Sequence, residues 1–344
     1  MIWLPLLLAD PSPCLRLLVL KELLGRPDDD SEMQELLKLR EKDQLVSQLF
    51  TTQASDGSWE LNDIGGRGSK NKILSTSYAL KRLGYLNFDK KHPKIQKAAE
   101  YIFSHQQEDG SWPVFKQYIE KEGSSKYSMI PLQTALPLQG LMMSGYATDK
   151  RVEKAFNWLF EQQLEDGGWP AGLASGNYGY IAGYRKLPHS RWGCRSNTTG
   201  VLECLANHPK YSKGSQTRRA VDLLLSRETR ETHTLGFEIA RLIGLEPNQG
   251  FFTRYARFDL AFILNLCWKI GVSQEDERVA NFIEFFTNQQ GQYGLWNYTP
   301  HPQANRWITF DILRALKNID NKSEWFSMEP RTPFQSYPSK QKRF

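Results

Sequence analysis

Little in this 344-residue chain suggests a staple, a metal or a membrane. Its four cysteines, Cys14, Cys194, Cys204 and Cys267, lie far apart, with no CxxC pair and no histidine at zinc-finger distance. A disulfide scaffold is thereby excluded, and reduced, buried thiols of a cytoplasmic protein are expected. No stretch approaches the roughly 18–20 apolar residues that a membrane-spanning helix needs. The apolar start, Met1–Ala9, has no basic flank, is interrupted by Pro5 and ends at Asp10. It reads as a packed N-terminal segment rather than a signal peptide. Charge of one sign is also scarce: 44 Lys+Arg against 38 Asp+Glu leave a surplus of +6, too small for a nucleic-acid footprint. There is no phosphate-cradling Gly-rich loop, no G-x-S-x-G and no H-E-x-x-H. The one acid run, Asp28-Asp29-Asp30, reads as a loop and helix N-cap. Aromatics are plentiful at 12%, which excludes disorder of the chain as a whole.

What the chain does have is a repeat. Gln53/Gly57/Trp59, Gln106/Gly110/Trp112, Gln163/Gly167/Trp169 and Gln290/Gly294/Trp296 share the spacing Gln-x3-Gly-x-Trp. Each follows an amphipathic stretch such as AAEYIFSHQ or AFNWLFEQQ. The Gln-to-Gln steps are 53, 57 and 127, and the last leaves room for one worn copy near AVDLLLSRETRETHTLG. The local physics is plain. Asp-Gly or Gly-Gly ends the helix, the Gln amide bonds backbone groups freed there, and the Trp packs back on the helix.

Between these units lie more uniformly apolar segments aligned on Leu80/Leu83, Leu138/Leu141, Leu202/Leu205, Leu264/Cys267 and Leu313/Leu316. They read as inner helices buried all round, and PSPCLRLLVLKELLG with DQLVSQLFTTQ adds one further pair. Alternating inner and outer helices with no strand pattern predict an all-α fold, an (α/α)5-6 toroid, over residues 1–320 as one domain. A Pro-rich, basic tail follows at 321–344. Pro137 inside an inner segment predicts a kink or bulge.

Counting back from the first Leu of each pair, position −4 holds Thr76, Thr134, Thr198 and Thr309, with Leu260 the exception. Position −5 holds Ser75, Gln133, Asn197, Asp259 and Ile308. Ser, Thr, Asn and Asp there are expected helix N-caps. Position −7 holds Arg195, Arg257 and Arg306 in three successive repeats, with Arg191, Arg254 and His189 nearby. On parallel inner helices these groups converge on one rim beside helix N-termini and form an anion seat. Tyr184, Trp192 and Trp307 share those loops. Arg and aromatic residues together suit a ligand with an anionic head and an apolar tail.

The Gln…Gly-x-Trp units with their paired helices resemble the prenyltransferase/squalene-cyclase (QW) repeat of terpene cyclases and protein prenyltransferase β subunits, over about residues 44–318. The resemblance implies a barrel whose central apolar cavity holds an isoprenoid. It does not extend to the family's chemistry. Where a cyclase of that kind carries Asp-x-Asp-Asp, this chain reads Ile130-Pro131-Leu132-Gln133-Thr134-Ala135. Where a prenyltransferase places the Tyr-His pair of its zinc site, Ala261 and Phe262 stand. No metal and no cofactor are therefore expected. Asp259 and Asp311 remain as candidate acids. Three readings follow. The first is a cyclase- or prenyltransferase-like enzyme acting on an isoprenoid or other hydrophobic small molecule. The second is a non-catalytic toroid that keeps the ligand. The third is a polysaccharide lyase or glycosidase on an α/α toroid, using Tyr184, His189, Asn197 or Arg191. No nucleic-acid partner is expected, and peripheral contact with a bilayer face stays open.

Overall fold

The computed structural model describes residues 2–64, 66–67, 71–113, 130–171, 186–226, 233–249, 255 and 257–319; the tail lies outside this set. The helices in chain order are α1 (Trp3–Leu8), α2 (Pro13–Leu18), α3 (Ser31–Leu39), α4 (Gln44–Thr52), α5 (Lys72–Tyr85), α6 (Pro93–Ser104), α7 (Pro131–Met143), α8 (Lys150–Glu161), α9 (Arg195–Ala206), α10 (Ser215–Leu225), α11 (Phe237–Leu242), α12 (Leu260–Ile270), α13 (Glu277–Gln289) and α14 (Asn305–Asn318). A π turn, Val19–Leu23, continues α2. Two short parallel strand pairs join Gly66–Arg67 to Asn248–Gln249 and His233–Thr234 to Phe258–Asp259.

The inner helices form an α/α toroid. α5 packs on α7, α7 on α9, α9 on α12, α12 on α14, and α14 on the π turn after α2. Every residue of α9 is buried, as are those of α7 from Pro131 to Met142. α7 runs unbroken through Pro137, where the sequence suggested a kink. Outer helices bury one face only: in α8, Val152, Ala155, Phe156 and Leu159 follow the spacing of a helical stripe. The apolar N-terminus is α1, with Leu7 in the core. All four cysteines are unpaired and buried, and Asp30 caps α3.

Each Gln…Gly-x-Trp unit is a clasp. The indole N–H of Trp59, Trp112, Trp169 and Trp296 donates to a carbonyl of the preceding outer helix, at 2.7, 2.9, 2.7 and 2.8 Å. The Gln amide donates to the carbonyl of its own motif Gly and, in the first three units, to the first turn of the next outer helix: Gln53 to Lys94, Gln106 to Arg151, Gln163 to Gln216. In the last unit Gln290 reaches the Gly294 carbonyl. There Gly294 lies against Trp3 of α1, which takes the place of a following outer helix.

The threonines at −4 are not caps. Their hydroxyls accept the backbone N–H of the motif Trp: Trp59 to Thr76, Trp112 to Thr134, Trp169 to Thr198, Trp296 to Thr309, at 3.1, 3.3, 2.9 and 3.0 Å. Each pins an outer-to-inner turn to the inner helix that follows. α7, α9 and α14 have no side-chain N-cap bond. Asn197 accepts the Leu132 N–H at the start of α7 instead. The segment read as a worn copy, residues 220–236, holds the end of α10 and stops just before α11, with 227–232 outside the described residues; it has no Trp, and the inner helix that follows has Leu260 where the other repeats have Thr.

Candidate functional site

α11 departs from the repeat plan. All six of its residues, Phe237 to Leu242, are buried, and it touches inner helices on several sides. The Tyr78 hydroxyl of α5 donates to the Arg241 carbonyl. Gly244, just beyond α11, lies against the Arg82 guanidinium, and Gly236, just before it, against Ile308 of α14. Asp259 joins its start to that of α12. The Asp259 carboxylate accepts N–H bonds from Gly236 at 3.2 Å, Glu238 at 3.0 Å and Phe262 at 3.1 Å. α11 thus lies inside the ring.

Beside α11 a cavity of about 130 Å³ remains, lined by residues of every inner helix. One side is apolar: Leu18, Met143, Ile239, Leu242, Phe262 and Leu266. The other carries Lys81, Arg241, Lys269 and Arg314 together with Glu22, Glu203, Glu238 and Asp311. The wholly apolar hollow expected from the sequence is therefore corrected at this position. Its lining is half ionic, and its volume falls below the roughly 300–1,000 Å³ of pockets that enclose drug-sized ligands.

Two ion-pair clusters organise the polar side. Lys81 Nζ lies 2.6 Å from Glu203 Oε1 and also donates to Gln139 Oε1 and the Tyr255 hydroxyl, at 3.2 and 3.0 Å. Tyr255 in turn donates to Glu203 and holds a left-handed φ of 57°. In the second cluster Arg314 pairs with Asp311 and, at 3.1 Å, with Glu22. Burial raises the Asp311 carboxyl above its ordinary range, against the pull of Arg314. Burial, with help from Arg314, lowers Lys269 to about 8.

The predicted site residues scatter around this picture. Asp311 lines the cavity, and Asp259 is not among the lining residues. The Asp259 oxygens are taken by backbone N–H groups and the Thr234 hydroxyl. The three −7 arginines do not form the expected rim seat. Arg306 pairs with Asp10 at 3.2 Å. Arg257 is exposed, its guanidinium 4.2 Å from the Phe237 ring. Arg195 is buried in the first turn of α9. His189 and Arg191 are exposed, with Arg191 over the exposed Trp192 at 5.3 Å. Trp307 is buried against Tyr85. Tyr184 and Arg254 lie outside the described residues. The site residues missed by sequence reasoning are Lys81, Glu203, Arg241, Lys269 and Arg314. Charged residues inside apolar helices are the signal that marks them.

Burial raises Asp259 to about 6, with the donating N–H groups pulling the other way. A carboxyl raised in the folded state contributes stability below its unfolded pKa and loses it as pH climbs through the folded value. Asp259 is thus expected to remove about 3 kcal/mol between roughly pH 4 and 6. Comparing urea unfolding of the wild type and Asp259→Ser, which can still cap but does not titrate, should show that limb flattened in the variant.

Among the described residues no helix is long and apolar enough to cross a membrane, and no group of three His, Cys, Asp or Glu is placed to hold a metal ion. Residues 20–181 match the model of the squalene-hopene cyclase C-terminal domain. The squalene–hopene cyclase of Zymomonas mobilis is 35% identical over 38% of this chain and 20% of its own length. A probable squalene–hopene cyclase of Sinorhizobium fredii is 32% identical over 36% of this chain and 19% of its own. The match thus spans about a fifth of the length of these curated relatives. The type II terpene cyclase MstE of Scytonema, solved with geranylgeranyl dihydroxybenzoate, is 16% identical over 79% of this chain and 94% of that one, at a TM-score of 0.34. With the clasps and the inner-outer alternation in agreement, the chain has an α/α toroid fold, and within it residues 20–181 are similar to the squalene-hopene cyclase C-terminal domain.

Proposed function

We propose that this chain is a terpene-cyclase-like protein that takes an isoprenoid, or another amphiphile with an anionic head, into the interior of its ring. The observation that carries this reading is the divided lining of the central cavity: an apolar wall from α2, α7, α11 and α12 faces a polar side on which Lys81, Arg241, Lys269 and Arg314 sit with Glu22, Glu203, Glu238 and Asp311. Apolar surface favours the hydrocarbon and guanidinium groups favour the head. The small volume admits a short chain or the head-group end of a longer one. For chemistry, Asp311 is our candidate proton donor, because it is buried, raised and faces the cavity. Asp259 ranks behind it, its oxygens engaged by backbone. The relatives named squalene–hopene cyclase favour a cyclising enzyme. The stretch from Ile130 to Ala135, which lacks carboxylates, favours a toroid that binds without protonating an alkene. Incubation with prenyl diphosphates of increasing length and with squalene, followed by native mass spectrometry and product extraction, tests both. A retained, unchanged ligand supports binding alone, and a cyclised product abolished in Asp311→Asn supports the enzyme. Absence of both binding and product with every probe overturns the proposal.

A further inference from the structure

The buried guanidiniums of the ring differ in one respect. Arg278 is braced by Asp222 at 2.6 Å and Asp276 at 2.7 Å, and Arg314 by Asp311 and Glu22. Arg82 and Arg241, each 5% exposed, are not matched in this way. Among the described residues Arg82 has no carboxylate within ion-pair distance and no hydrogen bond, and its Nε is buried without an acceptor. Burial pulls its pKa below the ordinary guanidinium value, with only the Tyr78 ring oxygen opposing. Arg241 has one acid, Glu238, at 3.3 Å from Nη1. The geometry is not that of a hydrogen bond: Arg241 Nε and Nη1 and Glu238 Oε1 are all buried without partners.

At the flank of α11, therefore, Arg241 has one poorly engaged carboxylate and Arg82 has none among the described residues. They meet through α11 itself, since Arg82 abuts Gly244, two residues beyond its end, and Tyr78, one turn before Arg82, bonds the Arg241 carbonyl. Arg241 lines the central cavity with Tyr78, Lys81 and Gly84 of α5. Guanidinium does not shed its proton in proteins, and an uncompensated buried charge is strongly destabilising. A counter-charge from outside the chain resolves the imbalance.

We propose that the α11 end of the cavity, where Arg241 lines the wall and the Arg82 guanidinium stands beside Gly244, is an oxyanion site whose guanidiniums take the negative charge of a phosphate, diphosphate or carboxylate group. The site deepens the amphiphile reading above, because it assigns the head group, but it stands on charge balance alone. The forked donors of two guanidiniums suit a multi-oxygen anion better than chloride.

The test uses the full chain at constant ionic strength. Inorganic pyrophosphate and phosphate, titrated against chloride, should raise the melting temperature and give a saturable calorimetric signal. Arg82→Met and Arg241→Met should each weaken pyrophosphate binding about tenfold or more, and Arg82→Lys should keep part of it. In anion-free buffer Arg82→Met should match or exceed the wild type in melting temperature, because it removes an unmatched buried charge. No anion-dependent shift, or an Arg82→Met chain that melts earlier with and without pyrophosphate, overturns the site. Geranyl diphosphate separates this claim from the earlier one. If it binds no better than pyrophosphate, the hydrocarbon reading fails and the oxyanion site stands. If it binds Arg82→Met and Arg241→Met as tightly as the wild type, the oxyanion site fails and the hydrocarbon reading stands.

Discussion

Replacing Glu203 by Gln should cost about 3–5 kcal/mol of folding free energy. Glu203 is the only carboxylate in contact with Lys81 among the described residues, and both side chains are less than a tenth exposed. The ammonium would keep Gln139 and Tyr255 as acceptors, but these are dipoles, not counter-ions. The variant thus retains nearly every atom and loses the charge that justifies a buried lysine. The companion Lys81→Met/Glu203→Leu removes both charges and should recover most of the loss, since apolar replacement of a whole buried pair is often neutral or favourable. Urea midpoints of the wild type, single and double variants read this directly. A Glu203→Gln chain within 1 kcal/mol of wild type (an order-of-magnitude threshold set by ordinary surface changes) would show that the pair is already hydrated.

Gly110→Ala comes next in expected size. Gly110 has φ +93°, a conformation L residues seldom adopt. A Cβ there would stand 2.4 Å from the Lys154 carbonyl oxygen of α8. Backbone cannot step aside as a flexible side chain does. The expected cost is about 2–5 kcal/mol, from conformational strain and overpacking together. Gly25 provides the control: its φ is +66°, but nothing lies within 4 Å of its would-be Cβ. Gly25→Ala should therefore show the conformational component alone, about 1 kcal/mol. Equal losses at the two positions would mean that the close approach of repeats at Gly110 is not what holds that glycine in place.

The same geometry explains why the architecture was readable from sequence. A Gln that must reach two carbonyls, a Gly that must let the next helix approach, and a Trp whose indole must bond the previous helix recur because each joint poses the same steric problem. Four copies at one spacing made the ring legible before any coordinate was known. The partner of the clasp was also on the page but read differently. Thr76, Thr134, Thr198 and Thr309 look like caps when taken singly. Yet Leu260 replaces Thr in the one aligned repeat with no motif Trp before it, which already tied that hydroxyl to the Trp.

The site was far less legible. Position along a helix groups Arg195, Arg257 and Arg306, but it says nothing of Asp10, 296 residues from Arg306 in sequence, or of Phe237 beneath Arg257. Lys81 and Glu203, 122 positions apart, meet because α5 and α9 both pack on α7. No local pattern announces that α11, six residues long, turns inward, with all six of its residues buried.

That inward turn divides the labour of the sequence. The staves of the barrel are held by joints between neighbours, none of which uses Ile239 or Leu242, whereas those two side chains help decide how much room the bore offers. Exchanges at Ile239 and Leu242 therefore change the room beside this internal plug while leaving every indole clasp of the hoop untouched.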